Sequence, residues 1–104
     1  MSWVVLVLAG IAEAVWAIAL ARTDGFTRWG PVTVFLVALV LSMAGLAYAM
    51  RSLPTGTAYA VWVGIGAALT VGYGMVTGTE SVSVWRVVFL ALIVGGVVGL
   101  KAVE

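Results

Sequence analysis

Four apolar stretches of near-equal length, divided by short polar segments, constrain this chain more than any other feature. They run from Trp3 to Ala21, Pro31 to Met50, Ala58 to Val76 and Val84 to Val103. A bilayer core needs about 20 helical residues per crossing, and each stretch meets that length. The separators read as loops: RTDGFTRWG carries charges and glycines, RSLPTGT holds Pro and Gly, and TGTESVS is polar. With 64% hydrophobic and 9% charged residues, the composition lies far from the roughly 25% charged residues of soluble domains. The chain is therefore expected to be an all-α membrane protein, residues 1–104 forming a single four-helix transmembrane domain embedded in the lipid bilayer.

The fourth span is the least uniform, because Arg86 and Lys101 leave only residues 87–100 uncharged, about 21 Å of helix at 1.5 Å per residue. Both long side chains reach opposite interfaces by snorkelling, so the span stands. Trp3, Trp29 and Trp85 fall at expected helix ends, as an aromatic belt requires. The first stretch does not read as a cleavable signal: it lacks a basic leader and carries an acid in its apolar run. The sequence has no Cys and no His, which removes thiol ligands, disulfides and the commonest metal ligand. No triad, phosphate loop, metal site or cofactor motif is present, so the chain is not expected to be an enzyme. The net charge of +1 gives no sign of nucleic-acid binding.

Four spans put both termini on one side of the membrane. Arg22, Arg28 and Arg86 then lie on one side, and Arg51 and Lys101 on the other. Orientation follows the excess of Lys and Arg on the cytoplasmic side, and here the excess is slight. Insertion in both orientations is expected, which permits an antiparallel homodimer. Small residues mark close helix contacts: Ala60, Gly64, Ala68 and Gly72 recur every four residues in the third span, and Gly95 and Gly99 form a GxxxG in the fourth. At 100° per residue the third-span stripe forms one face, expected to pack, and Tyr59 with Trp62 lies nearly opposite. Gly64 and Gly66 mark where that helix bends at modest cost.

Glu13 is the one acid inside the spans. It lies near the bilayer midplane, where an unpaired acid costs on the order of 3 kcal/mol or more. No basic residue lies near the middle of any span, so a proton or an external cation must neutralise it. Intramembrane ionisable residues mark ion and proton pathways by default. Gly10, Glu13, Trp16 and Ala17 share one helical face, which sets the acid beside an indole and small residues, an arrangement fit for a cation. In an antiparallel dimer two Glu13 carboxyls would meet near the midplane and titrate as a coupled pair.

These residues resemble the small multidrug resistance family, and within it the guanidinium exporter branch. The likeness runs nearly end to end: AGIAEAVWA in the first span, DGFTRWGP in the first loop, Ser42, LPTGTAYAVWVGIGA entering the third span, GTES before the fourth and GLK at its end. The resemblance implies antiparallel dimers of four-helix subunits in the bacterial inner membrane, exporting cations against protons, with Glu13 binding either ligand. It also implies that Trp16 and Ser42 belong to the guanidinium branch, Ser42 orienting the carboxylate, Trp16 walling the pocket and Tyr59 bridging toward Glu13. The multidrug branch has a small residue in place of Trp16 and a tyrosine where this chain has Leu39.

The chemistry agrees, because guanidinium offers in-plane N–H donors that match a carboxylate bidentately. Quaternary ammonium ions depend on aromatic faces instead, which Tyr59 and Trp62 supply equally well. Expected site residues are Glu13, Trp16, Ser42, Tyr59 and Trp62, supported by Gly10, Gly64 and Gly66, with Gly95 and Gly99 for packing. Three alternatives stand beside guanidinium/proton exchange: an exporter of lipophilic quaternary ammonium ions, a channel for a small ion, and a non-transporting partner of a paralogue.

Overall fold

The computed structural model describes residues 1–103 and contains four helices: α1 (Ser2–Ala21), α2 (Trp29–Ala49), α3 (Thr55–Thr77) and α4 (Val84–Ala102). All four are long and apolar enough to cross a membrane. Each helix overlaps one of the expected spans, and the largest shift is the polar start of α3. Thr55, Gly56 and Thr57 form the first turn of α3 after Pro54, whose carbonyl accepts from the Ala58 N–H at 2.9 Å. Pro31 sits in the first turn of α2, where its missing N–H costs nothing. Ser83 caps α4 by accepting from the Arg86 N–H at 3.1 Å, and α3 ends on Gly78 at φ +82°, a left-handed turn that glycine adopts without a Cβ penalty.

The first loop is tied by Thr23, which is buried. Its hydroxyl donates to the Leu20 carbonyl at 2.8 Å and accepts from the Phe26 N–H at 3.2 Å. Asp24, Gly25 and Phe26 all take positive φ. That turn brings the Phe26 ring edge-on to Phe35 of α2, with centroids 5.9 Å apart.

α1 is the centre of the fold, packed against both α2 and α3. A Cβ on Gly45 of α2 would come within 2.9 Å of Ala9 Cβ, and one on Gly10 within 2.8 Å of Ile65 Cβ on α3. These two glycines let the helices approach closely, so Gly10 serves as a packing contact in this structure. The buried cluster consists of Leu6, Ala9, Leu46, Ala49, Ala58, Val61 and Trp62.

α4 differs from the rest. Its main packing partner is α3, where Gly64 admits the Val97 methyl, 2.7 Å from where a Cβ would stand. It has no buried residue, and nothing lies within 4 Å of a Cβ placed on Gly95 or Gly99. The GxxxG of the fourth span thus has no packing partner among the described residues.

The expected faces of α3 require correction. The small-residue stripe does not form the packed face: only Gly64 of it meets α4 closely, Gly72 has open space, and Ala60 is exposed. The face against α1 and α2 carries Ala58, Val61, Trp62 and Gly66 instead, so Trp62 is buried, only 6% exposed, and does not stand opposite the packing side. The reason is chemical. A large ring with one N–H donor buries favourably once that donor finds an acceptor, and Trp62 finds one in Ser42.

Candidate functional site

Glu13 projects from the middle of α1 into a notch on α3 that exists because residue 66 is glycine. A Cβ there would overlap the Glu13 carboxyl carbon and stand 2.9 Å from its Cγ. The Glu13 Oε2 atom is buried and has no hydrogen-bond partner. One turn further along α1, Trp16 Nε1 is also buried without a partner. An acceptor and a donor thus stand unsatisfied on the same face of one helix, in a setting where unpaired buried polar atoms cost about 1–3 kcal/mol each. Such orphans are rare in folded proteins, and each calls for a partner that the fold itself does not supply.

Trp16 is held by aromatic edges. Phe35 of α2 meets it with centroids 6.0 Å apart and planes at 69°, and Phe26 meets Phe35 in turn. On α3, the Thr70 hydroxyl donates to the Gly66 carbonyl at 2.7 Å, directly behind the notch.

Ser42 lies one turn away from this centre and is fully buried. Its hydroxyl donates to the Ala9 carbonyl at 2.8 Å and accepts from Trp62 Nε1 at 2.9 Å, knitting α1, α2 and α3 together. A hydroxyl has one proton, and here it goes to Ala9, the residue one turn before Glu13. The carboxylate-orienting bond expected of Ser42 is therefore absent in this structure, and Ser42 acts on Glu13 through the α1 backbone. Tyr59 is 54% exposed, its ring 5.7 Å from that of Trp62 and tilted by 41°; it makes no bond to Glu13.

Of the expected residues, the structure brings together Glu13, Trp16 and Gly66, and makes Ser42 and Trp62 a buried bridge beside them. It adds Phe35 and Thr70, which the sequence reading missed. Phe35 is an ordinary aromatic in an apolar run and carried no signal; Thr70 was the one aliphatic hydroxyl in the third span and could have been singled out.

Four membrane-length helices, the first with a carboxyl at its middle, define a small integral membrane protein. The family model for the small multidrug resistance proteins matches residues 1–93, and the chain belongs to that family. It is 52% identical over 101 residues to the guanidinium exporter of Escherichia coli (strain K12), covering 97% of this chain and 96% of that one. It is 48% identical to the guanidinium exporter of Proteus vulgaris and 52% identical to that of Yersinia pestis, each over 97% of both chains. Four spanning helices and these relatives make it a multi-pass protein of the bacterial inner membrane.

Proposed function

We propose that this protein exports guanidinium in exchange for protons, working as an antiparallel homodimer in which the two Glu13 carboxyls hold either protons or the cation. The observation that carries the reading is the unpartnered Glu13 oxygen, seated at Gly66 beside the unpartnered Trp16 N–H within a membrane span. A carboxylate at membrane depth requires a positive partner, and the relatives named guanidinium exporters indicate which one. Guanidinium places two parallel N–H donors on a carboxylate, while the Trp16 N–H, which guanidinium cannot satisfy, is free to donate to a carboxylate oxygen.

The second subunit would cover the face that α4 leaves open, with Gly95 and Gly99 on it. Alternating access then proceeds by opening the dimer to one side at a time, with α3 bending near Gly64 and Gly66. Two protons entering for each guanidinium leaving would move net charge, and the inward proton gradient would drive export. Export of quaternary ammonium ions is the lesser reading: it needs open aromatic faces, and of the two rings expected to supply them only Tyr59 is open, the Trp62 ring being committed to the core.

The test is current across a proteoliposome membrane on adding guanidinium. The wild type should give a pH-coupled current that Glu13→Gln abolishes, with a smaller response to tetraethylammonium. A larger response to tetraethylammonium would favour the multidrug reading, and current uncoupled from pH would favour a channel.

A further inference from the structure

At the end of α1 the Arg22 guanidinium lies over the ring of Tyr73 on α3, 5.5 Å from its centroid, and its Nη2 donates a hydrogen bond to the phenol oxygen. Among the described residues no carboxylate pairs with Arg22; Glu80 is engaged by Arg86 at 2.9 Å. A cation held by one ring and one neutral acceptor is held weakly and exchanges readily. An arginine locked in place carries a bidentate carboxylate partner instead.

The position of the pair matters as much as its strength. Tyr73 follows Gly66 by seven residues, which returns it to within about 20° of the face that seats Glu13 and sets it about 10 Å further along the helix axis. Thr70 falls between them. Arg22 and Tyr73 also line a groove of about 440 Å³ whose other walls, among them Val15, Ile18, Pro31 and Val34, are apolar. In that groove the ring and the phenol oxygen are the features that recognise a planar N–H donor.

We infer that Tyr73 is an outer guanidinium-binding station on the side of the membrane that bears the first and third loops, occupied by the Arg22 side chain until the free ion displaces it. The inference rests on the guanidinium-export reading and extends it to a second site. The Arg22 guanidinium displays the pose that the free ion would take: at the phenol end of the ring, with an N–H on the phenol oxygen. As a tethered competitor Arg22 acts at high effective concentration, so removing it should favour the free ion.

The experiment measures initial guanidinium-evoked current in proteoliposomes against guanidinium concentration, for the wild type, Arg22→Gln, Tyr73→Leu and the double variant. A cation–π contact near a surface corresponds to a change of about two- to fivefold in apparent affinity. Arg22→Gln should lower KM by about that factor and Tyr73→Leu should raise it by a similar one. The double variant should match Tyr73→Leu, because the gain from losing Arg22 requires the ring. Tyr73→Phe, which keeps the ring packing, should raise KM less than Tyr73→Leu.

If the pair merely latches α1 to α3, both single variants shift KM in the same direction or leave it unchanged, and the station is overturned. If Arg22 acts only by repelling cations, the gain persists in the double variant, which also overturns it. Absence of any guanidinium current in the wild type would instead overturn the export reading, independently of the station.

Discussion

Replacing Gly66 with alanine separates the site from the fold. The added Cβ would overlap the Glu13 carboxyl carbon and lie 2.9 Å from its Cγ, closer than real side chains tolerate, so the carboxyl must leave its notch. A strained rotamer costs about 0.5–1.5 kcal/mol, and a full rotamer change moves the carboxyl by more than an ångström. Misplacement on that scale lowers turnover by roughly 100-fold. The fold should not suffer, because alanine is favoured over glycine inside a helix by about 1 kcal/mol. The assay pairs guanidinium-evoked current with thermal unfolding of the detergent-solubilised protein. Gly72→Ala is the control on the same helix, since nothing lies within 4 Å of its Cβ, and it should transport as the wild type does. A shorter acid removes the overlap at the Glu13 carboxyl carbon and leaves only the milder 2.9 Å contact at Cγ, so Gly66→Ala/Glu13→Asp should transport faster than Gly66→Ala alone. That comparison distinguishes a blocked seat from a stiffened hinge. Wild-type current from Gly66→Ala would refute the seating of Glu13 at Gly66.

Ser42→Ala leaves the buried Trp62 N–H without an acceptor, a loss of about 1–3 kcal/mol that should appear as a lower unfolding midpoint. Trp16→Phe keeps the edge contact with Phe35 but removes the unpartnered N–H, and should raise the KM for guanidinium while leaving the unfolding midpoint close to wild type. Gly95→Leu with Gly99→Leu meets open space within the subunit, so the helices should fold while the dimer dissociates, read by cross-linking in membranes. Reporters fused to the C terminus should detect both orientations in cells; a signal from one side alone would remove the antiparallel dimer.

The four helices were legible because each is an uninterrupted apolar run, and hydropathy at membrane length leaves few other structures. Their ends were less legible: Thr55 to Thr57 are polar yet helical, since a helix continues until its backbone is stopped, not until its side chains change. Glu13 stood out as the lone acid in the spans, and its spacing from Trp16 placed the two on one face. What spacing did not reveal was which face of α3 packs. Small residues show where helices can approach closely, but the bond from Trp62 to Ser42 turned a different face inward. The partner of Ser42 was hidden for a similar reason, because the Ala9 carbonyl is a backbone group that every residue carries. Gly66 was visible as a glycine, but its role as the seat of Glu13 depends on how α1 and α3 cross.

The most direct test of the central claim is proton release on binding. Guanidinium added to the detergent-solubilised protein in weak buffer should acidify the solution, in proportion to protein and saturably, because cation and proton compete for the Glu13 carboxyls; Glu13→Gln should release none. Binding of guanidinium without proton release, or equal release from Glu13→Gln, would contradict the account.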